Sequence, residues 1–428
     1  MDTLRKIYVA LGDTLVLVGS FFVAFLLRGK GHIEANIITT HGTAFGILYI
    51  LWLIILYVYN LYEVHRIKPN FISLRQIFFA LLTQAITGFL MFYFIPYFGI
   101  TPKTTMLLNV AVFGLLFIGW RTLFYQLVAH RFKKKLAVIG HSDEATLLIS
   151  EITKNPHMGY TYVGNFNALQ ELKEKGVKAD VLVVSNTLTK EDIVMCSDIE
   201  CDTMRIFEAY QQIFFKIPVT LITNQTALKL IEHKDSPLYR VTRRVIEIVV
   251  SLFILVVTLP ITLITIICIY IEDGGPFLYT QTRVGKKKAI FKIMKFRSMI
   301  KDAEKIGAQW AEAKDSRVTR VGRIIRKLHI DEIPQMYNVL RGDLALIGPR
   351  PERPEFVSRL EETIPYYFLR HTIKPGFTGW AQIKFRYART ELDSKEKFEY
   401  DLFYLRNHNF FLDLGIILKT VQIIFTHE

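Results

Sequence analysis

Two adjacent carboxylates, Asp331 and Glu332, lie in the stretch LHIDEIPQMYNVLRGDLALIGPRP, which ends in a Gly-Pro-Arg-Pro turn carrying Arg350. An ionised carboxylate can attack phosphorus without a general base, and the pKa of Asp in water is ~3.9. A neighbouring carboxylate can hold Mg²⁺, which binds through one or two carboxylates plus substrate phosphates. Cations nearby can neutralise the charge that develops on phosphate oxygens. The pair therefore predicts phosphoryl transfer if other elements bring cations to it.

Cations precede the acidic pair in two groups. The alternation in FKIMKFRSM, residues 291–299, predicts a strand that presents Lys295 and Arg297 on one face. A second group approaches the pair directly: Arg317, Arg320, Arg323, Arg326 and Lys327. Most of this group is assigned to anionic lipid headgroups, which contribute ~1 kcal/mol per cation. Arg317 is kept as a candidate substrate-binding residue, together with the two strand residues and Arg350.

The apolar residues after the acidic pair predict its local structure. They recur at i, i+3, i+4 and i+7, at Ile333, Met336, Tyr337 and Leu340. This period predicts a helix from Glu332 to Leu340 with one buried face. Asp331 would then be its N-cap, where the positive end of the helix stabilises an ionised carboxylate. Because Asp is a common N-cap, the argument for catalysis rests on the surrounding cations.

Composition and hydropathy indicate a membrane protein. The chain has 428 residues, 51% of them hydrophobic, and a formal net charge of +14, so it is too apolar for a disordered protein. Four apolar runs, each near the ~20 residues that span a bilayer, fall at residues 7–27, 43–59, 77–98 and 105–128. Positive charge is concentrated before the first run, between the second and third, and after the fourth, so both ends of this bundle are predicted to be cytoplasmic.

The region after the fourth run has a different pattern. Short apolar runs alternate with amphipathic stretches from KLAVIG to MRIFEA, residues 135–209, which predicts a βαβαβαβ module with a parallel sheet. Its first turn, Gly140-His141-Ser142-Asp143, lacks the remaining glycines of a dinucleotide-binding fingerprint. A structural or regulatory module without a cofactor is therefore favoured.

The segment Val245–Ile271 is long enough to cross a bilayer. Lys and Arg residues flank this segment on both sides, and flanking positive charge favours the cytoplasmic side of a membrane. Because both ends are then cytoplasmic, we predict a re-entrant helix in preference to a fifth crossing. Pro260 removes a backbone hydrogen bond in the middle of the run, and Thr258 can help to satisfy the freed carbonyls. The C-terminal apolar stretch is interrupted by Asp413 and Lys419, and an amphipathic helix on the membrane surface is predicted there.

Six motifs resemble those of the bacterial sugar transferase family, the monotopic phosphoglycosyl transferases, and occur in the family's order. They are Lys295-Phe-Arg-Ser-Met, Asp331-Glu-Ile-Pro-Gln, Asn338-Val-Leu-Arg-Gly-Asp, Ile347-Gly-Pro-Arg-Pro-Glu-Arg-Pro-Glu, Lys374-Pro-Gly-Phe-Thr-Gly-Trp-Ala-Gln and Glu399-Tyr-Asp-Leu-Phe-Tyr-Leu. The resemblance implies a membrane protein with α and α/β parts: a four-helix transmembrane bundle at 1–130, a degenerate Rossmann-like parallel α/β domain at 131–232, and a mainly helical catalytic domain at 233–428 with a re-entrant helix at about 245–271.

The resemblance also implies an activity, the transfer of a sugar 1-phosphate from a UDP-sugar to undecaprenyl phosphate with release of UMP. By motif, Asp331 would attack the sugar-linked phosphate and Glu332 would bind Mg²⁺, the implied cofactor. Lys295, Arg297 and Arg350 would hold phosphate oxygens. The implied partners are both substrates and membrane lipids, with no nucleic acid, and a homodimer stays open.

The implied location is the bacterial inner membrane, as a multi-pass protein with its catalytic domain on the cytoplasmic face, where it would initiate exopolysaccharide, O-antigen or capsule assembly. Two alternatives remain open. A membrane-anchored nucleotide-sensing scaffold without catalysis leaves Lys295, Asp331 and Arg350 unexplained. A polymerising glycosyltransferase would normally carry an Asp-x-Asp metal motif, which is not evident in this sequence. The sequence does not indicate which sugar is transferred.

Overall fold

The structure, a computed structural model, describes residues 2–32, 37–59, 61–62, 71–94, 103–131, 133–155, 159–184, 201–232, 236–301, 303, 315–385 and 390–426. The chain divides into two compact units, Met1–Ala209 and Tyr210–Glu428. The boundary predicted at residue 232 falls inside the second unit.

The first unit begins with four long apolar helices. They are α1 (Asp2–Arg28), α2 (Ile37–Val58), α3 (Phe71–Phe94) and α4 (Lys103–Arg131). Each contains 19 to 22 residues apolar enough to cross a membrane, which confirms the four predicted spans. Residues 95–98 of the predicted third span, and the loop cations Arg66 and Lys68, lie outside the described residues.

Polar contacts join the helices of this bundle. Arg121 on α4 forms an ion pair with the buried Asp13 on α1, with 2.7 Å between Nη2 and Oδ2. Asn109 on α4 donates to Ser20 Oγ at 3.2 Å and to Tyr49 Oη at 2.9 Å. Polar side chains in membrane helices are costly unless they are paired, so these contacts restrict the helices to one relative register.

A four-stranded parallel sheet follows the bundle. Its strands, in spatial order, are β2 (Tyr160–Phe166), β1 (Lys134–Ile139), β3 (Val181–Val184) and β4 (Asp202–Arg205). Helices α5 (Asp143–Lys154) and α6 (Leu169–Glu174) connect the first three strands, as predicted. The predicted helix at KEDIVMCSDIE lies outside the described residues.

The last predicted strand of this module was placed too late in the chain. Within MRIFEA, β4 ends at Arg205, and helix α7 (Ile206–Phe214) begins at the next residue. The buried residues Ile206, Ala209 and Ile213 recur at helical spacing. The apolar run of MRIFEA therefore belongs to a helix face and not to a strand.

The second unit is mainly helical. Its helices are α8 (Asn224–Ile231), α9 (Pro237–Val257), α10 (Leu259–Asp273), α11 (Arg320–Lys327), α12 (Gln335–Arg341), α13 (Pro354–Thr363), α14 (Trp380–Lys384), α15 (Glu391–Asn407) and α16 (Phe410–Thr426). Its strands are the antiparallel hairpin β5 (Leu278–Val284) with β6 (Ile290–Phe296), and the parallel pair β7 (Ala345–Ile347) with β8 (Gly376–Thr378).

Helices α9 and α10 form a bent pair, in which the helix axis changes direction by 59°. The bend lies at Thr258, whose Oγ1 donates to the Ile254 carbonyl at 2.7 Å. Pro260 is in the first turn of α10, where a backbone N–H has no intrahelical acceptor. The bend that the sequence predicted at Thr258 and Pro260 is therefore present.

Helix α16 packs its acidic residue inward. Asp413 is buried and accepts hydrogen bonds from Tyr239 Oη at 2.6 Å and from Tyr404 Oη at 2.7 Å. Asp413 interrupts the apolar stretch, as the sequence showed, and in the structure two tyrosine hydroxyls solvate this carboxylate inside the unit. Phe411, on the same helix, remains highly exposed.

Candidate active site

The acidic pair lies in a single 3₁₀ turn, Ile330–Glu332, and not at the start of α12. Pro334 has no N–H and cannot continue an α-helical ladder, so Ile333 N donates instead to the Ile330 carbonyl. Helix α12 then begins at Gln335. The predicted N-cap role of Asp331 is therefore wrong, because the proline separates the acidic turn from the helix.

One face of α12 fixes the strand beside the acidic pair. Asn338 is buried, its Oδ1 accepts from Met294 N at 3.0 Å, and its Nδ2 donates to the Lys292 carbonyl at 2.8 Å. Tyr337, predicted on the buried face, is 54% exposed. Helix α12 starts later than predicted. Its buried face includes Asn338, which binds the backbone of β6. Asn338 begins one of the six sequence motifs, but no role was predicted for it from the sequence.

Three of the predicted site residues meet at one carboxylate. Lys295 Nζ on β6 lies 2.8 Å from Glu332 Oε1. Arg350 Nη2, in the turn after β7, lies 2.5 Å from the same oxygen. Strand, acidic turn and Gly-Pro-Arg-Pro turn therefore meet at Glu332, with Asp331 directly beside it.

Arg297 and Arg317 contact other carboxylates. Strand β6 ends at Phe296, and Arg297 Nη2 lies 2.8 Å from Asp273 Oδ2 at the end of α10. Arg317 Nε donates to Asp315 Oδ1 at 2.8 Å. Within the described residues, neither arginine forms an ion pair with the acidic turn. Strand β6 ends between Lys295 and Arg297, but both residues line one cleft.

All six predicted residues line one cleft of about 1120 Å³, which is large enough for a nucleotide-sized ligand. Among the described residues, nine Lys or Arg side chains line it, against three carboxylates. The cations are Arg283, Lys295, Arg297, Lys301, Arg317, Arg326, Arg350, Arg353 and Lys397, and the carboxylates are Asp331, Glu332 and Glu352. Such an excess of positive charge favours a polyanionic ligand.

The two adjacent carboxylates have opposite electrostatic environments. Burial raises the pKa of Asp331, and Lys295 partly opposes this effect. Burial would also raise the pKa of Glu332, but Arg350 and Lys295 together hold it well below its ordinary value. Glu332 is therefore firmly ionised, while Asp331 is the more basic carboxylate of the pair.

The free oxygens of the pair fit a loosely held Mg²⁺. Within the described residues, no group of three or more His, Cys, Asp or Glu side chains could hold a metal by itself. Glu332 Oε1 accepts both cations, whereas Glu332 Oε2 and the Asp331 carboxylate accept no hydrogen bond from the described residues. Mg²⁺ commonly uses one or two carboxylates and completes its shell with water and substrate phosphates. The donor set therefore fits that mode.

A second ionic cluster beside the Gly-Pro-Arg-Pro turn was not predicted. Glu352 Oε1 lies 2.9 Å from Lys397 Nζ, and Arg370 Nη2 lies 2.9 Å from Asp401 Oδ2. Burial opposes ionisation of Glu352, but Lys397 and Arg370 lower its pKa to about 2. Glu352 and Asp401 both lie within the six sequence motifs. Those motifs were the signal from which a role for these two residues could have been predicted.

Comparison with known proteins places this geometry in a family. A family model described as "Bacterial sugar transferase" matches residues 238–427. A UDP-glucose:undecaprenyl-phosphate glucose-1-phosphate transferase of Caulobacter vibrioides is 37% identical over 188 residues, which cover 44% of this chain and 70% of that protein. The chain belongs to the bacterial sugar transferase family. With its four apolar helices, it is a membrane member of that family.

Two further relatives differ in extent. An Aeromonas hydrophila UDP-N-acetylgalactosamine-undecaprenyl-phosphate N-acetylgalactosaminephosphotransferase is 44% identical over 191 residues, 45% of each chain. An undecaprenyl-phosphate glucose phosphotransferase of Komagataeibacter xylinus is 29% identical over 360 residues, 76% of this chain and 66% of that protein. Since 76% exceeds the transferase region, this match extends upstream of residue 238. The chain spans about half of the Aeromonas relative and two thirds of the Komagataeibacter one.

Proposed function

We propose that this bacterial sugar transferase moves a sugar 1-phosphate from a UDP-sugar to undecaprenyl phosphate and releases UMP. The observation that carries the proposal is the arrangement at Glu332, where Lys295 and Arg350 bind one carboxylate oxygen and leave Asp331 beside it facing a basic cleft. The names of the three relatives, each an undecaprenyl-phosphate sugar phosphotransferase, support the same reaction class.

The reaction divides into two displacements at phosphorus. An Asp331 oxygen attacks the phosphorus that carries the sugar, and the bond from that phosphorus to the bridging oxygen breaks, so UMP leaves with the electron pair. An oxygen of undecaprenyl phosphate then attacks the same phosphorus and restores the Asp331 carboxylate. A carboxylate nucleophile of this kind splits one difficult step into two easier ones.

The cations of the cleft contribute positioning and charge neutralisation. Lys295 and Arg350 are fixed by Glu332 in front of Asp331, where they can contact the phosphate oxygens of the donor. Mg²⁺ would be held by Glu332 Oε2 and by the carboxylate oxygens of Asp331. When bound, the metal would neutralise phosphate oxygens and orient the leaving group. Arg297 and Arg317 lie further along the same cleft and would extend its positive field.

The bent pair α9 and α10 enters and leaves the membrane on one side in this proposal. Ile254 and Leu255 on α9 pack against the cluster of Met336, Val339 and Leu344. Ile266 and Ile269 on α10 pack against Phe296 and Ile325. Only residues 256–265 lie between these anchor points, and ten helical residues extend about 15 Å, half of the ~30 Å hydrocarbon layer. A re-entrant hairpin is therefore favoured over a fifth crossing.

The orientation of the whole chain follows from this hairpin. Both of its ends remain with the cleft, and the flanking cations of the four-helix bundle favour a cytoplasmic location for the polypeptide that follows α4. We therefore assign the cleft to the cytoplasmic face of the bacterial inner membrane, where UDP-sugars are available.

The nucleotide released by the purified full-length chain tests the function. The chain is incubated in detergent with Mg²⁺, undecaprenyl phosphate and each member of a panel of UDP-sugars. We expect UMP and a lipid-linked sugar from at least one donor. The relatives' names include both N-acetylgalactosamine and glucose, so the panel begins with those two. Release of UDP would instead support a polymerising glycosyltransferase, and binding without turnover would support a scaffold.

A further inference from the structure

The Gly-Pro-Arg-Pro turn is anchored by arginines that the proposed reaction does not use. Two of its main-chain carbonyls, and the carbonyl of Ile347 at the end of β7 just before it, each accept a hydrogen bond from a different guanidinium group. The pairs are Arg243 with the Ile347 carbonyl, Arg370 with the Arg350 carbonyl at 3.0 Å, and Arg283 with the Pro351 carbonyl at 2.9 Å. The donors come from α9, from the Tyr367–Thr372 turn and from β5, so three separate elements fix one short segment.

Arg370 is the most deeply buried of these donors, with a side chain 3% exposed. Its Nη2 lies 2.9 Å from Oδ2 of the equally buried Asp401 on α15, and its Nη1 donates to the Tyr367 hydroxyl. A buried ion pair adds little net stability over apolar residues of the same size, because desolvation offsets the attraction. Three acceptors in different directions, however, match the planar fork of an arginine and not a lysine ammonium.

The anchored carbonyl belongs to the residue whose side chain reaches the acidic pair. Arg350 Nη2 lies 2.5 Å from Glu332 Oε1, while the Arg350 carbonyl accepts from Arg370. Pro349 and Pro351 on either side fix their own φ near −65°. Gly376 N also donates to the Pro349 carbonyl at 2.9 Å. With its backbone held in this way, Arg350 has only its side-chain torsions left to adjust.

We propose that Arg370 and Asp401 are positioning residues for Arg350. They touch neither substrate in this assignment and act by holding the Arg350 backbone where its guanidinium bridges Glu332 and the cleft. The inference rests on the proposed sugar-phosphate transfer and adds to it a buried support that extends from α15 to the acidic turn.

A double-mutant cycle on the full-length chain measures this dependence. Arg370→Lys should lower kcat about tenfold while KM for the UDP-sugar changes less than about threefold, because misplacing a transition-state contact affects kcat most. In an Arg350→Lys background the same Arg370→Lys change should cost less than about twofold, because the supported group is already altered. An equal tenfold loss in both backgrounds would overturn the proposal.

Arg244→Lys is the matched control. Arg244 also donates to two buried carbonyls, those of Val339 at 2.8 Å and Leu340 at 2.7 Å, but at the end of α12 and not in the turn. It should lower the thermal midpoint as Arg370→Lys does, while leaving kcat within about twofold of the unmodified chain. If it lowers kcat as much as Arg370→Lys does, a general packing effect replaces the positioning role.

Hydrogen–deuterium exchange provides a readout that does not depend on activity. The backbone amides of Gly348 and Gly376, which donate to the Thr378 carbonyl at 2.8 Å and to the Pro349 carbonyl at 2.9 Å, should exchange faster in Arg370→Lys but not in Arg244→Lys. Unchanged exchange in Arg370→Lys contradicts the proposal even if the chain proves to have another function, whereas absent UMP release contradicts only the proposed function. If Arg370→Lys fails to fold, Asp401→Asn, which removes only the charge that orients Arg370, takes its place in both measurements with the same expected results.

Discussion

Glu332 is the residue at which the site is assembled. One of its oxygens accepts Lys295 and Arg350, and the other accepts no hydrogen bond from the described residues, so it is available to a metal. The two cations hold its pKa well below the ordinary range despite burial. We therefore propose two functions for Glu332, to orient the cations and to hold Mg²⁺.

Replacement of Glu332 by glutamine separates these functions from general stability. Glu332→Gln removes the negative charge between two cations, so we expect kcat to fall at least about 100-fold and the Mg²⁺ concentration for half-maximal activity to rise. A magnesium titration of UMP release measures both. Glu361→Gln is the control, because Glu361 pairs with Lys288 at 2.8 Å outside the cleft lining. A Glu332→Gln chain with an unchanged magnesium dependence would contradict the metal role.

His371 predicts how stability depends on pH. It is buried, and burial, with Arg370 and Lys288 nearby, lowers its pKa to about 3. The folded chain keeps this imidazole neutral, whereas the unfolded chain protonates it below pH ~6.5. Its contribution is therefore fully present above pH 6.5 and is lost as pH falls, by about 2 kcal/mol at pH 5.

Thermal unfolding at pH 7.5 and pH 5 tests this sign. His371→Asn should show a smaller drop in Tm between the two pH values than the unmodified chain. His329→Asn is the matched control, because His329 is exposed and its φ of 56° is tolerated by asparagine. Equal drops in Tm for His371→Asn and the unmodified chain would show that His371 is not held neutral.

At this scale, part of the site could be predicted from the sequence. Residue types and motif order were enough to select Asp331, Glu332, Lys295 and Arg350, because phosphate chemistry needs acids and cations together. The partner of Arg297 was not predictable, since Asp273 reaches this guanidinium group through a tertiary contact. The partner of Arg317, Asp315, is only two residues away along the chain, and this local pair was overlooked. Arg370 was missed because its acceptors are a backbone carbonyl and a residue 31 positions later.

At the scale of elements, the proposed location of the cleft depends on how the bent pair enters the membrane. Its first limb is held to the core by Arg244, which donates to the Val339 and Leu340 carbonyls. Its second limb is held by Glu272, which accepts from Arg320 N at 2.7 Å and Val321 N at 3.1 Å. Both ends therefore belong to the same core, as a re-entrant hairpin requires.

Cysteine labelling in membrane vesicles tests the hairpin. Arg240→Cys and Lys287→Cys place thiols on exposed positions near the start of α9 and beyond the end of α10, in a chain whose own cysteines are replaced by serine. We expect a membrane-impermeant maleimide to label both thiols in inverted vesicles and neither in right-side-out vesicles. Labelling of the two positions from opposite sides would establish a fifth crossing and contradict the proposed location of the cleft.

Among the elements, the regular ones were predictable and the short ones were not. Hydrophobic periodicity was enough to predict α5 and strands β1 to β3. Apolar residues from these three strands pack in one cluster. It failed at Pro334, which splits the acidic segment into a turn and a helix, and at Arg205, where a strand gives way directly to a helix. At Pro334 a backbone constraint overrides the local pattern, whereas after Arg205 the buried residues Ile206, Ala209 and Ile213 already follow a helical spacing.

At the scale of the whole molecule, the chain combines a membrane bundle, a parallel sheet and a basic cleft. The four spans and the sheet could be predicted from composition and periodicity. These patterns depend on many residues, so no single residue decides the prediction. The cleft depends on contacts between residues distant in the chain, such as Lys295 with Glu332, and only the motifs indicated it.

We propose that Asp331 becomes covalently bonded to the sugar phosphate during the reaction. The purified chain is incubated with Mg²⁺ and a radiolabelled UDP-sugar that the panel has identified as a donor, without undecaprenyl phosphate, and is then digested for mass spectrometry. We predict stoichiometric UMP, a phosphosugar adduct on the peptide containing Asp331, and loss of the adduct when undecaprenyl phosphate is added. An Asp331→Asn chain that retains full activity, or turnover of the unmodified chain without any adduct at Asp331, would contradict the account.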